Sequence, residues 1–348
     1  MLLAPSLDLQ SFDYTDPLQL SIALEGRSIR EVARQRGVDH TTILNWFHKL
    51  KLETPEPPTL DLLREYFASR TVPTAPGPTA ARVPGDYATC LVGSDLHFPH
   101  QHDGAFEVFL GLADLIKPDE IVLDGDVFDF AQIGRYIRDP NSYIPLQTDI
   151  DQCREKVLAR IQSTSPDSVK RFLVGNHEEG RWENYVFSRA PELASLRCLT
   201  MEAVLGLTEM GWIWQPYEYW VTDSLIIFHG DRHTNALGGG SAMSARKEML
   251  DVGCSGVTGH THHAGVFFRQ DRTGYRVWYE IGGLMDWRKM QKAHVTTKRT
   301  PVKAEDWHLA CALIRYRPGH SAFRVELLPI VDDGGRTFMI YNDEEIVA

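Results

Sequence analysis

Asp95-Leu96-His97 follows, one residue on, the apolar run Thr89-Cys90-Leu91-Val92-Gly93, and four later stretches repeat that arrangement. Gly125-Asp126-Val127-Phe128-Asp129 follows the run 120–123, and Gly175-Asn176-His177-Glu178 follows 171–174. His229-Gly230 follows 225–228, and Gly259-His260-Thr261-His262 follows 255–257. Short runs rich in Val, Ile and Leu read as strands buried on both faces, and ligands collect beyond the carboxyl ends of such strands. Strand ends that all deliver His, Asp or Asn to one side describe a single polar site, which reads as a centre for two metal ions.

The residue types narrow the metal. Carboxylate, imidazole and amide oxygen suit divalent manganese first, with iron or zinc as alternatives; calcium favours an all-oxygen cage. Asp95 and His97 lie two apart, so an extended segment would send both side chains to the same ion. Asp126 and Asp129 cannot be equivalent ligands if the turn after Gly125 opens a helix. One would bind metal while the other faces a neighbour.

The ordered set DxH, GDxxD, GNHE, H and GHxH covers about residues 89–262 and resembles the calcineurin-like metallophosphoesterases. The resemblance implies an α/β catalytic domain built as a four-layer αββα sandwich around two divalent ions. It implies Asp95, His97 and His262 as ligands of one ion, Asn176, His229 and His260 as ligands of the other, and Asp126 as the bridge. His177 corresponds to the catalytic histidine outside the ligand set, kept protonated by Asp129. Arg181 could clamp a phosphate or form a surface ion pair. His233, like His100, His102 and His263, is either a phosphate contact or a solvent-facing residue.

Composition frames this site. A chain of 348 residues with 43% apolar and 24% charged side chains supports a large folded domain plus a smaller one. No apolar run reaches the about 18–20 residues of a membrane span, and Met1-Leu2-Leu3-Ala4-Pro5 lacks the pattern of a secretion signal. Five cysteines without metal-type spacing read as buried thiols in a reducing compartment, so a cytoplasmic location is expected. The net charge of −11 disfavours an anionic partner, yet residues 26–52 and 241–303 are locally basic.

The expected organisation is a helix-turn-helix domain over 1–52, a proline-rich linker with one short helix over 53–85, and the catalytic domain over 86–348. In the first, Ser28-x-x-Glu31 forms a capping box, Gly37 breaks the helix, and Ile29, Val32, Ala33, Val38, Ile43 and Trp46 form the core. This small all-α domain resembles trihelical DNA-binding domains, whose second motif helix enters the major groove. That would present Thr41, Thr42, Asn45 and Lys49 to DNA; a bundle for protein contacts is the alternative.

Further along, Asp103 is expected to cap a helix over 104–116. Other helices are expected over 149–162 and 241–250, with a strand pair over 307–315 and 322–329. The aromatic segment Trp212, Trp214, Tyr217, Tyr219 and Trp220 could stack unpaired bases or belong to the core. The end of the chain from Asp332 reads as turn-rich.

Asp129 is followed by Phe130-Ala131 rather than the Arg-Gly of serine/threonine phosphatases, and the second block looks more like the nuclease subunits of double-strand-break repair. The leading expectation is therefore a manganese-dependent DNA nuclease or phosphodiesterase tethered through its N-terminal domain. A phosphatase or phosphodiesterase of small nucleotides or phosphoproteins is the second, and a non-catalytic DNA-binding scaffold the third. The sequence leaves the oligomeric state open.

Overall fold

The computed structural model describes residues 87–133, 144–216, 218–233, 242–272, 274–293 and 306–348, together with Val32, Ala33, Val38, Thr42 and Ile43. The chain separates into two compact units, Met1–Thr74 and Ala75–Ala348, and the division falls within the proline-rich stretch. In the first unit, Val32, Ala33 and Ile43 are helical and buried, and the Val38 N–H donates to the Ala33 carbonyl at 3.0 Å. Thr42 is half-buried. Thr41, Asn45 and Lys49 lie outside the described residues, as does the short helix expected in the linker.

The second unit is a mixed α/β structure with several sheets. Strands β1 (Ala88–Gly93), β2 (Glu120–Asp124), β3 (Val169–Leu173) and β4 (Trp212–Gln215) run parallel. The hairpin β10 (Ala310–Tyr316) and β11 (Phe323–Pro329) joins them antiparallel through β1, giving the order β11-β10-β1-β2-β3-β4. A five-stranded sheet follows the order β5-β6-β7-β9-β8, from β5 (Tyr219–Thr222), β6 (Leu225–Ile227), β7 (Ser255–Thr258), β8 (Ala264–Asp271) and β9 (Gly274–Ile281). The five expected site strands all form, but they divide between the two sheets: β1, β2 and β3 in the first, β6 and β7 in the second.

Period-two alternation along the strands builds the layers. Leu91, Ile121, Leu123 and Phe172 turn to a cluster shared with the helices, while Cys90, Val92, Val122 and Leu173 turn the other way. There they meet Leu225, Ile227, Val257 and Ile281 of the second sheet. On the helical side lie α1 (Asp103–Ile116), which contributes Phe106, Phe109 and Leu112, and a continuous helical stretch α2 over 146–164, which contributes Cys153, Val157 and Ile161. The far face of the second sheet packs Ile226, Phe228 and Trp278 against Ala245 and Met249 of helix α4 (Met243–Val252). Between α2 and α4 in sequence, α3 runs from His177 over 177–189.

Several expectations are corrected. The cap of α1 is His102, whose Nδ1 accepts from the Ala105 N–H at 3.1 Å, and Asp103 is already helical. The end of the chain forms a three-stranded sheet of β12 (Val331–Asp332), β13 (Thr337–Tyr341) and β14 (Glu344–Val347) that covers α1, with Met339 and Tyr341 in the core. Its turn residues connect strands only two to five residues long, too short for a clear period. The aromatic segment is structural: Trp212 and Trp214 pack in the helix-side cluster, and Trp220 packs with Ile226 and Trp278. Tyr217 lies outside the described residues. Cys198 is exposed while the other four cysteines are buried, and all are free thiols. Among the described residues, no helix is long and apolar enough to cross a membrane.

Where β2 begins, beside the middle of β3, a polar group ties the sheets together. Arg171 pairs with Glu120 at 3.2 Å, and Tyr219 of the second sheet donates to the same carboxylate at 2.6 Å. The guanidinium also lies 4.3 Å from the Tyr219 ring centroid. Removing one partner from such a pair strands a charge with little solvent. Glu120→Ala should therefore lower the unfolding free energy by about 3 kcal/mol, read from urea denaturation midpoints.

Candidate metal centre

Beyond the carboxyl ends of the strands, three groups of side chains interlock. They are Asp95, His97 and His262; His97, Asp126 and His177; and Asp126, His229 and His260. Within each group the potential ligand atoms lie within 4.8 Å of one another. Both sheets contribute, since Asp95 and His97 follow β1 and Asp126 follows β2, while His229 follows β6 and His260 and His262 follow β7.

The backbone there departs from extended geometry. Asp95 (φ 52°), His97 (49°), Asp126 (48°), His260 (63°) and His262 (59°) are all left-handed, a conformation that costs non-glycine residues about 1–3 kcal/mol each. Asp95 and His97 thus reach one place through consecutive kinks, not through the extended alternation expected from their spacing. No helix starts after Gly125, and Asp126 and Asp129 separate through the irregular chain between them. Close approach replaces side chains with hydrogen at two positions. A Cβ on Gly175 would stand 2.3 Å from both Asp126 N and Oδ1, and one on Gly259 would stand 1.9 Å from Ser94 Oγ.

Each carboxylate is held by one oxygen and aims the other inward. Asp95 Oδ2 accepts from Ser94 Oγ at 2.6 Å and from the His260 N–H at 2.8 Å. Its Oδ1 accepts no hydrogen bond and stands 3.0 Å from His262 Nε2 and 3.5 Å from His97 Nε2. Asp126 Oδ1 accepts from the His177 N–H at 2.8 Å. Its Oδ2 faces Nε2 of His229, His177 and His97 at 3.3, 3.7 and 3.8 Å. The Asp124 carbonyl, 2.8 Å from His229 Nδ1, accepts its proton and so turns Nε2 toward Asp126.

The donor set fits divalent ions. His97 Nε2 and His262 Nε2 stand 3.2 Å apart, and His260 Nδ1 and His229 Nε2 3.3 Å apart. Two nitrogens each about 2.0–2.1 Å from one ion in a tetrahedral arrangement stand about 3.3 Å apart. The Asn176 amide oxygen is buried and accepts no hydrogen bond, as an oxygen reserved for a cation would.

Charge supports the same reading. Burial opposes ionisation of Asp95, but the His262 and His97 imidazoles hold its carboxyl well below the usual range. Burial likewise opposes the Asp126 carboxylate, and His177 and His229 pull it down. Against burial, Asp129, Asp95 and Asp126 push His97 up to about 9, and Asp126 raises His229. Protons on these two imidazoles offset the surrounding carboxylates, and an ion bound there displaces them. Burial pushes His260 down to about 4 and also lowers His262, leaving both neutral, as ligands must be.

No family model matches the sequence. The chain is similar to the Gene 54 protein of Mycobacterium phage L5, at 26% identity over 255 residues, which are 71% of this chain and 94% of that protein. Among solved structures it is similar to Vacuolar Protein Sorting 29 from Cryptosporidium parvum, over 76% of this chain and 96% of that one, at 14% identity and a TM-score of 0.36. It is also similar to a purple acid phosphatase from yellow lupin (Lupinus luteus) seeds, over 71% of this chain and 52% of that one, at 13% identity and a TM-score of 0.39.

Two sequence expectations change at the margin of the cluster. Burial, together with the neighbouring His97 and Arg181 cations, pushes His177 down to about 4, although Asp129 Oδ1 lies 3.2 Å from its Nδ1. It is therefore neutral here, not held protonated by Asp129. Arg181 is neither a surface ion pair nor turned outward to a phosphate. Its Nη1 lies 3.1 Å from Asp129 Oδ1, its side chain is 15% exposed, and it donates to the Asp129 carbonyl. His233 ends the turn Asp231–His233, and its side chain lies outside the described residues. His100 Nε2 stands 3.9 Å from Asp129, and His263 stands 3.5 Å from Asp306.

Sequence reasoning missed Glu178. It is fully buried, and its carboxylate accepts from the backbone N–H groups of Asp126, Val127, Phe128 and Gly175 at 2.9–3.1 Å. One side chain thereby fastens the loop after β2 to the loop after β3. Burial pushes its carboxyl up to about 7. It was visible as the last residue of the third block, but three of the four amides it serves are some fifty positions away in the chain. Trp307 was also missed as a neighbour of the cluster: its ring packs edge-on to His262 at 4.2 Å, outside β10, in a stretch read as strand.

Glu178→Gln would turn an amide NH2 toward backbone donors. Manganese affinity should fall by about 10–100-fold, the usual effect of losing an outer-shell support. Calorimetric titration of the metal, with circular dichroism to confirm the fold, measures it.

Proposed function

We propose that the chain is a metal-dependent phosphoesterase using two divalent ions, as its resemblance to the calcineurin-like metallophosphoesterases implies. The observation that carries this reading is the chain of three ligand groups linked through His97 and Asp126, with the inward oxygen of Asp126 facing three imidazoles. In this reading Asp95, His97 and His262 hold one ion, and Asn176, His229 and His260 the other. Asp126 serves both. Manganese is the proposed metal, with iron or zinc as the alternatives that the same donors accept.

Bound ions in such a site lower the pKa of a water and offset charge on phosphoryl oxygens. The chain's own residues supply the rest. The left-handed kinks and the Glu178 grip fix the carboxylates before substrate arrives. His177 is the proposed proton donor to the leaving oxygen. An anionic phosphoryl group beside Nε2 favours its charged form and so restores the proton that burial removes. Asp129, pinned by Arg181, orients the ring at Nδ1.

Phosphodiesters, with DNA as the polymer, are the proposed substrate class. Supporting this are the helix-turn-helix pattern of the first unit and the excess of eleven Lys/Arg over five Asp/Glu in residues 241–303. The first unit acts as the tether, with Thr41, Thr42, Asn45 and Lys49 as its proposed DNA-facing residues.

Purified protein with manganese should hydrolyse bis(4-nitrophenyl) phosphate faster than 4-nitrophenyl phosphate, and chelation should abolish both. Faster monoester cleavage would favour the phosphatase reading, and inactivity with several metals a scaffold. His177→Asn should slow esters with alkoxide leaving groups by about 100-fold or more and 4-nitrophenyl esters much less, because an activated phenolate needs little protonation. Asn45→Ala combined with Lys49→Ala should weaken DNA binding by about tenfold or more in a fluorescence anisotropy titration. Small-diester turnover should be unchanged by that pair; a matching loss there would defeat the tether.

A further inference from the structure

A cavity of about 330 Å³ opens beside the metal centre, and His229 is part of both. Leu173, Val174, Pro216 and Phe228 are its apolar lining. Its remaining side chains are Glu179, Glu218, Asp231 and Arg232, three carboxylates against one guanidinium. That guanidinium is committed: Arg232 Nη2 donates to Glu218 Oε2 at 3.0 Å, and its Cζ lies 4.4 Å from the Phe228 ring centroid.

Resting on the phosphoesterase reading, we infer that this cavity receives an uncharged nucleoside-sized moiety of the substrate and rejects one bearing a second phosphate. The size suits one small organic group, since pockets for such ligands start at about 300 Å³. The chemistry is equally selective. Apolar side chains beside carboxylate acceptors match a nucleoside, which offers a base to bury and hydroxyl or amino protons to donate. A phosphate placed there meets the carboxylates of Glu179 and Asp231, and the Arg232 guanidinium beside them is already paired with Glu218. Like charges at such range disfavour binding. On a DNA strand, the nucleoside with no further phosphate is the terminal one, so cleavage is directed to a chain end.

The observation differs from those that assign the metal ligands. Of the residues around the cavity, only His229 belongs to the metal groups. Glu179 and Asp231 are the two carboxylates not committed to Arg232, and they are the positions to change.

The test uses the full chain with manganese and two chromogenic diesters: thymidine 5′-(4-nitrophenyl) phosphate with a free 3′-hydroxyl, and the same compound carrying a 3′-phosphate. Methyl 4-nitrophenyl phosphate is the reference without a nucleoside. The free-hydroxyl ester should exceed the methyl ester in kcat/KM by at least tenfold, and the added 3′-phosphate should cancel most of that gain. Glu179→Gln combined with Asp231→Asn should narrow the gap between the two nucleotides. Equal or better cleavage of the 3′-phosphorylated ester by the unaltered protein overturns the inference, and needs no variant to fold. So does a methyl ester cleaved as well as the nucleotide, or a gap that the double variant leaves intact. Bis(4-nitrophenyl) phosphate separates the two levels: its turnover upholds the metal centre even when the pocket assignment fails, and its inertness defeats the phosphoesterase reading itself.

Discussion

The carboxylate of Asp126 is the point on which the cluster depends. Buried groups of like charge repel, and this one sits in a space that also holds Asp95 and Asp129, both fully buried. Such a concentration of acid is tolerable only where cations answer it. The answering groups are the His229 and His97 imidazoles, 3.3 and 3.8 Å from the inward oxygen of Asp126, and the position of each is set by a different strand end. Fixing Asp126 is accordingly expensive in backbone: a left-handed residue, a glycine opposite it that admits no side chain, and a glutamate that binds the adjacent amides.

Much of this could be read from the sequence because burial on both faces leaves a strong signal. The runs before Asp95, Asp126, Asn176, His229 and His260 are short and mostly apolar, and each proved to be a strand ending at the cluster. What could not be read was which strands share a sheet. Residues 89–93 and 255–257 look alike in composition, yet they lie in opposite sheets, since pairing is decided by contacts far apart in the chain. The closing β-sheet escaped notice for a different reason: its strands are short and lie between turn residues, and their burial is supplied by α1.

Within the site, ligand types were legible and their geometry was not. Spacing suggested an extended Asp95-Leu96-His97, whereas both ends of the triplet are left-handed. Residue identity cannot show which backbone amides lack a partner, so Glu178 looked like a bystander and Arg181 like a surface charge. Protonation was equally hidden. Asp129 beside His177 suggests a stable imidazolium, but the degree of burial and the presence of Arg181 become known only once the chain is folded.

The division of the cluster between two sheets has a mechanical side. Asp95, His97 and Asp126 ride on one sheet and His229, His260 and His262 on the other, joined by an apolar seam and by Glu120, Arg171 and Tyr219. A bound pair of ions would act as a rivet across that seam, so cargo at one edge stiffens the whole sandwich. Conversely, no half of the molecule retains a complete set of ligands, and a slight parting of the layers would silence the centre well before either sheet comes undone.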